Sequence, residues 1–350
     1  MPSPKPNVVH PHLRPNQIGL TIRDYEGSMS TLCAGCGHDS VTAAIVRSFY
    51  ELSTPPHLIA KLSGIGCSSK TPTYFVGGAH GFNSAHGRMP SIATGANAAN
   101  RSLNYIGISG DGDSLSIGIG QLVHAIRRNV DMLYIIENNG VYGLTKGQFS
   151  ASADIGSKSK RGEVNRFGPI DPVSLALDLG ATFVARSFSG DKEQLVPILK
   201  AALSHKGFAL VDVISPCVTF NDHEGSTKSY LYTRKHLLQL VSADFVPFAQ
   251  EIAVEYQPGT ATSVRLHDGS VVRLRKVAED YDPTDRQAVA DHLELHRHRG
   301  EIATGLLYVD KQASDMHDTS QTTDVPLAQL PFEKLCPGRA ALDELQKSFR

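Results

Sequence analysis

The sequence carries almost no net charge. Its 34 Lys and Arg oppose 35 Asp and Glu over 350 residues, leaving −1 with the histidines neutral. Without a field of one sign, neither nucleic acid nor an anionic membrane is an expected partner. Long apolar runs are missing too. Stretches such as residues 132–136 fall far short of the ~20 residues that cross a bilayer. Five cysteines are too few for a disulfide scaffold. No repeat of about 20 to 50 residues appears, which excludes solenoids and propellers. No G-x-G-x-x-G follows an apolar strand, which argues against a hydride-accepting dinucleotide enzyme. The first fifteen residues hold five prolines and no apolar core, unlike a secretory leader. The expectation is a soluble, cytoplasmic protein, large enough to bury a sizeable core in one or two domains.

Between residues 31 and 218, apolar strands alternate with helical patterns. Strands are expected at 58–62, 104–109, 132–137, 182–186 and 208–215, and helices at 38–52, 90–100, 117–128, 171–179 and 192–205. Strands apolar on both faces and separated by helices predict an α/β fold with a doubly wound parallel sheet, whose ligands sit at the carboxyl ends of the strands. Residues 1–30 read as an extended proline-rich arm, and 77–87 and 145–167 as loops. A small α+β extension is expected over 219–310, with a helix at 230–241, a hairpin at 263–277 turning on Asp268-Gly269, a helix at 287–296 and an apolar stretch at 302–309. Residues 311–350 read as a polar linker, 311–323, and a docking tail that includes the amphipathic 340–349.

The chemistry concentrates in two turns. Gly110-Asp111-Gly112 ends one buried strand and Asn138-Asn139 ends the next, with Asp111 and Asn139 28 positions apart. One βαβ crossover takes about that many residues, so the two side chains converge at neighbouring strand ends. A carboxylate, an amide oxygen and a backbone carbonyl form the hard oxygen set that Mg2+ prefers, with phosphate completing it. Glycines let the backbone approach phosphates, and the following helix start points N–H groups at them. The bland alternative is an ordinary turn glycine cluster with a chance Asn pair; the paired placement favours a diphosphate–magnesium site.

Cys33 and Cys36 stand at C-x2-C spacing, Cys67 follows the strand 58–62, and Cys217 follows the last strand. The separations of 3, 31 and 150 positions suit a metal centre held between elements. Cysteine chemistry by itself leaves zinc, iron–sulfur and unconnected buried thiols open. Cys336 is left over.

These segments resemble a known family. The run 139–148 (NGVYGLTKGQ), Gly64-Ile65-Gly66-Cys67-Ser68, His86-Gly87-Arg88 and the GDG…NN pair, which matches the thiamine diphosphate motif, are similar to the β subunits of 2-oxoacid:ferredoxin oxidoreductases over about residues 17–300. The resemblance implies thiamine diphosphate, Mg2+ and one [4Fe-4S] cluster as cofactors. It implies that Asp111, Asn139 and the Val141 carbonyl hold Mg2+, and that Ile65, Gly66, Cys67, Ser68, His86, Gly110, Gly112, Asp113, Leu144 and Thr145 line the cofactor. It also implies that Cys33, Cys36, Cys67 and Cys217 hold the cluster. Leu32 and Ala34 depart from the family's Trp and Pro beside the first cysteine. The implied reaction is CoA-dependent oxidative decarboxylation of a 2-oxoacid with electrons passed to ferredoxin, reversible for CO2 fixation.

His86, Arg88 and Lys70 are candidate substrate contacts. Lys70, three residues after Cys67, would pair with the distal carboxylate of 2-oxoglutarate; the alternative is a solvated loop lysine. Lys146, Lys158, Lys160 and Arg161 could take coenzyme A phosphates or lie on a plain mobile loop. His292, His296 and His298 read as surface. Only one half of a thiamine enzyme is visible, so a partner α subunit is expected to supply the pyrimidine half, in an αβ or (αβ)2 assembly. A cluster-free thiamine carboligase and a non-catalytic iron–sulfur subunit are the alternatives.

Serine replacement tests the cluster ligands. Iron per chain should fall in the Cys33, Cys36, Cys67 and Cys217 variants and hold in Cys336→Ser, because losing one thiolate leaves an iron open. Full iron retention in Cys67→Ser or Cys217→Ser refutes the set.

Overall fold

The structure, a computed structural model, describes residues 12–247, 261–266, 268–276 and 281–349. The first eleven residues of the expected arm and Val277 of the expected hairpin lie outside the described residues. Strands β1 (Ile59–Ser63), β2 (His80–Asn83), β3 (Asn104–Gly110) and β4 (Met132–Asn138) alternate with helices α1 (Gly37–Glu51), α2 (Thr71–Tyr74), α3 (Met89–Ala99) and α4 (Ile119–Arg127). A ribbon of β5 (Val141–Tyr142) and β6 (Gln148–Phe149) follows, then α5 (Pro172–Asp178), β7 (Phe183–Phe188), α6 (Lys192–Ser204) and β8 (Phe208–Ile214). The remainder comprises α7 (Tyr230–His236), β9 (Leu237–Gln239), β10 (Val241–Val246), β11 (Ala261–Arg265), β12 (Val271–Lys276), α8 (Arg286–His298), β13 (Ile302–Val309), α9 (Met316–Ser320), α10 (Phe332–Leu335) and α11 (Gly338–Lys347). Among the described residues no helix is long and apolar enough to cross a membrane.

Eight strands form the main sheet in the order β2-β1-β3-β4-β8-β7-β13-β9, and every neighbouring pair is parallel except β7 with β13. The expected doubly wound α/β fold is present. β4 and β8 are buried along their whole length, as strands covered on both faces must be. Val41, Ala44, Ile45 and Phe49 of α1, spaced at helical intervals, are all buried, and α1 packs on α6. The registers Ser63 with Ile108, Gly110 with Glu137 and Asn138 with Ile214 bring the carboxyl ends of β1, β3, β4 and β8 side by side. The chemistry-bearing turns all leave from those ends.

Several expectations need correction. The presumed loop 77–87 contains β2, whose four residues are exposed; it is held to β1 by backbone pairing and a Ser63–Asn83 hydrogen bond at 3.0 Å, so no apolar period marks it. The helix expected over 230–241 stops at His236, after a last turn of Arg234, Lys235 and His236. Leu237 and Leu238 instead pair with Ile302 and Ala303 of β13, which wins over their helical spacing. The polar stretch 311–323 is not a free linker. Asp315 caps α9 by accepting from the Asp318 N–H, Met316 is buried and donates to the Asn129 carbonyl, and Lys206 pairs with Asp318 at 2.6 Å. His296 is buried, with Nδ1 2.7 Å from Glu301, rather than at the surface. Of the arm, Tyr25 is fully buried and Glu26 bridges Phe75. α11 forms as expected and buries none of its residues.

The expected boundary at residue 218 does not divide the sheet, since β9 and β13 of the extension complete it. Gly305 makes that docking possible. Its φ is +121°, β13 bulges just beyond it, and a Cβ there would collide with the Val241 carbonyl oxygen. Gly305→Ala should therefore lower stability by about 1–3 kcal/mol, the cost of such a strained backbone, read as a lower unfolding temperature.

Candidate functional site

A cleft of about 270 Å³ opens at the carboxyl ends of β1, β3 and β4. Ile65, Gly66, Cys67, Ser68, His86, Gly110, Asp111, Gly112, Asp113, Asn139, Val141, Leu144 and Thr145 all line it. Lys70 and Arg88 stand next to lining residues without lining the cleft. The Lys70 ammonium lowers the Cys67 thiol against the larger effect of burial, and Arg88 is exposed at the start of α3.

Asp111 is the buried centre of the cleft, 1% exposed. Its carboxylate accepts from the Gly140 N–H at 3.0 Å, from the Ser152 hydroxyl at 2.5 Å and from Ser150. All these donors are neutral. Burial pushes the Asp111 pKa up, and these hydrogen bonds only partly offset it. A buried carboxylate without a countercharge suits a divalent cation. Asn139 turns its amide oxygen back on the Val141 N–H at 3.0 Å, so two of the three oxygens belong to one turn of chain, which the Gly140 N–H ties to Asp111.

The glycines do more than bare the backbone. A Cβ on Gly112 would stand 2.6 Å from Cζ of the Tyr142 ring, whose hydroxyl donates to the Gly112 carbonyl at 3.1 Å. After Gly112 the chain runs through a π-helical turn, Gly112–Ile117, so α4 starts two residues later than the helical spacing indicates. Asp113 has both oxygens engaged by protein: Oδ1 accepts from Gly87 N–H, and Oδ2 from Ile65 N–H and Ser109 Oγ.

The thiols gather on the same side. Thr219 Oγ1 lies 3.2 Å from Cys33 Sγ, and a Cβ on Gly143 would lie 3.4 Å from Cys67 Sγ and 3.6 Å from Cys217 Sγ. Gly37, following Cys36, donates to the Pro216 carbonyl, and a Cβ on it would reach Ser215 Oγ at 2.5 Å. Burial pushes Cys36 up to about 12, and Cys217 raises it further; burial, then Cys217 and Cys33, raise Cys67. Repulsion of this kind, between Cys36 and Cys217 and among Cys67, Cys217 and Cys33, shows that these thiols stand near one another. Among the described residues, however, no three His, Cys, Asp or Glu side chains close on one another as a finished metal site. Cys336 is exposed and apart, at the C-terminal cap of α10.

Sequence reasoning missed His38, Ser69, Tyr142 and Gly143 in the cleft wall, and Glu137 behind it. His38 Nδ1 lies 2.6 Å from Ser215 Oγ and 3.6 Å from Glu137 Oε2, and Thr71 donates to both Glu137 oxygens at 3.0 and 3.1 Å. Burial lowers His38 to about 4 and raises Glu137 well above the carboxylate range, with Asp39 adding to the latter. The pair is therefore neutral. A glutamate inside the apolar run 132–138 was the available signal.

Residues 64–213 match the model of the thiamine pyrophosphate enzyme C-terminal TPP binding domain. The 2-oxoglutarate synthase subunit KorB of Methanocaldococcus jannaschii is 35% identical over 241 residues, 69% of this chain and 84% of that one. The chain belongs to the family of 2-oxoacid:ferredoxin oxidoreductase β subunits. The β subunit of the Saccharolobus solfataricus 2-oxoacid:ferredoxin oxidoreductase is 44% identical over 207 residues, 59% of this chain and 67% of that one. The Mycobacterium tuberculosis 2-oxoglutarate oxidoreductase subunit KorB is 44% identical over 192 residues, covering 54% and 51%. These matched stretches thus span one half to two thirds of the two relatives. A solved 2-oxoglutarate:ferredoxin oxidoreductase from Magnetococcus marinus, with 2-oxoglutarate, coenzyme A and succinyl-CoA bound, superposes with a TM-score of 0.70 at 28% identity, over 89% of this chain and 92% of that one.

In this family member the neutral Glu137 has a measurable consequence. The folded state keeps its proton while the unfolded chain ionises near pH 4.5, so the group stabilises the fold only at acid pH and costs stability as pH rises. Glu137→Gln removes that cost. The variant should gain about 1–2 kcal/mol over wild type at pH 8, with little gain at pH 4.5, in thermal unfolding at the two pH values.

Proposed function

We propose that this chain is the thiamine diphosphate- and iron–sulfur-binding subunit of an enzyme that converts 2-oxoglutarate and coenzyme A to succinyl-CoA and CO2, handing electrons to ferredoxin, or runs the reverse reaction. One observation carries the reading: the 64–68 turn, the GDG turn and the NN turn meet in a single cleft, in a chain of this family. Thiamine diphosphate, when bound, supplies an electron sink for the bond broken as CO2 leaves.

The chain's own residues supply the rest. Asp111 Oδ, Asn139 Oδ1 and the Val141 carbonyl are the oxygen donors for Mg2+, with the diphosphate completing its shell. Lys70 offers an ammonium to the distal carboxylate of 2-oxoglutarate. A substrate lacking that carboxylate leaves the cation unpaired, which discriminates against pyruvate. His86 and Arg88 face the substrate's reacting end, and Lys146, Lys158, Lys160 and Arg161 receive coenzyme A phosphates. Cys33, Cys36, Cys67 and Cys217 are a soft donor set of the kind a [4Fe-4S] cluster takes. Burial holds the Cys36, Cys67 and Cys217 thiols protonated, so binding a metal releases those protons.

The pyrimidine half of the cofactor site comes from an α subunit, in the cytoplasm with ferredoxin. The test is viologen reduction by the chain with and without that subunit, with cluster, Mg2+ and thiamine diphosphate restored. The complex should turn over 2-oxoglutarate in preference to pyruvate, and the chain alone should turn over neither. Turnover by the chain alone comparable to the complex refutes the divided site.

A further inference from the structure

Asp111 is the near end of a buried polar chain that leaves the cleft. The Ser152 hydroxyl sits 2.5 Å from Asp111 Oδ2 and 2.9 Å from Asn138 Oδ1. Asn138 Nδ2 donates to Asp212 Oδ1 at 3.0 Å. Asp212 Oδ2 accepts from Arg186 Nε at 2.7 Å, and the same guanidinium pairs with Asp171. Ser152 and Asn138 are 2% exposed and Asp212 is 0% exposed. The chain borders a second cavity of about 170 Å³ on the far side of β4 from the cleft residues.

Each link fixes the next. The carboxylate of Asp212, committed to Arg186 through one oxygen, offers only an acceptor to Asn138. The Asn138 amide must therefore turn its N–H2 to Asp212 and its carbonyl to Ser152. Ser152 has a single hydroxyl proton between two acceptors, Asn138 Oδ1 and Asp111 Oδ2. Oδ2 of Asp111 also accepts from the Gly140 N–H and from Ser150, so protein donors fix its direction, while Oδ1 is approached by the Asn139 N–H at 3.5 Å. A carboxylate pinned through one oxygen presents the other to a cation in a fixed direction, and each fuller donation to it draws off charge that the cation would use. Were the amide reversed, its N–H2 would donate to Ser152, and Ser152 would give its proton wholly to Asp111.

We propose that Asp212, anchored by Arg186, is a positioning residue that acts through Asn138 and Ser152 to hold Asp111 in its cation-binding orientation. The inference rests on the cation reading of Asp111 given above. Removing the negative charge of Asp212 allows the amide to reverse, and partners one shell beyond a metal ligand typically change affinity by about 10- to 100-fold.

The experiment is Mn2+ titration by electron paramagnetic resonance on the purified complex with its α subunit, in the presence of thiamine diphosphate. Iron content and visible absorbance report whether each variant is intact. Asp212→Asn should weaken Mn2+ binding about tenfold and leave iron unchanged. In a Ser152→Ala background, where the chain is already cut, Asp212→Asn should add nothing. In a Ser150→Ala background, which removes another donor to Asp111 and its 3.2 Å contact with Ser152 but leaves the Ser152–Asn138–Asp212 links whole, most of the effect should persist. If Asp212→Asn does not assemble because Arg186 is left short of a partner, Asn138→Ala replaces it in the same cycle and keeps the ion pairs whole. Unchanged Mn2+ affinity in the variant, or an equal loss in both serine backgrounds, overturns the proposal alone. Failure of the wild-type complex to bind Mn2+ saturably overturns the cation reading and the proposal with it.

Discussion

Asp113 ties three separate turns to one point: the Gly87 N–H at 2.6 Å, the Ser109 hydroxyl at 2.8 Å and the Ile65 N–H at 3.1 Å. A buried carboxylate is tolerable only when surrounded by donors, and here the donors come from the end of β3, the turn after β1 and the turn before α3. The geometry leaves no room for side chains nearby. A Cβ on Gly64 would stand 2.5 Å from Ser109 Oγ, and Gly87, at φ +66°, lies against Gly118. The cleft has its shape because these turns share an acceptor that bonds only protein.

Three solutions to buried charge coexist at this end of the sheet. Asp111 keeps neutral donors and awaits a countercharge. Glu137 and His38 are held neutral by burial. Arg186 is fully paired, between Asp171 and Asp212, and its charge brings the Asp171 carboxyl below the usual range despite burial. Groups of like burial therefore carry different charge states because their neighbours differ. This separates a carboxylate held by neutral donors from those that are ion-paired in the scaffold.

Much of this was legible in advance. The alternation of apolar strands with helical stripes identified β1, β3, β4, β7 and β8 within a residue or two, because both faces of those strands are covered. The GDG and NN turns were legible from spacing and the turn after β1 from the family resemblance, and the structure brings them into one cleft. What escaped notice had no local signal. β2 is exposed on both faces and held by backbone pairing and one polar side-chain contact, with no apolar packing. β9 and β13 join the sheet across a long sequence separation, so their membership depends on partners that no window can see. Glu137 did carry one signal, a charge inside an apolar run, but it directly precedes the asparagine pair, as His38 closely follows the cysteine pair.

Cys67 sits in the wall of the cleft and also among the thiols, with Gly66 and Ser68 on either side of it. Gly143 fills the gap between the two groups with no side chain, bringing the chain to within van der Waals reach of both the Cys67 and Cys217 sulfurs. The span from cleft to sulfur is therefore measured in covalent bonds along one loop. A subunit that docks over the cleft, or rocks against it during turnover, moves relative to both groups together. The separation of cleft and thiols is set inside this chain and is indifferent to such motion.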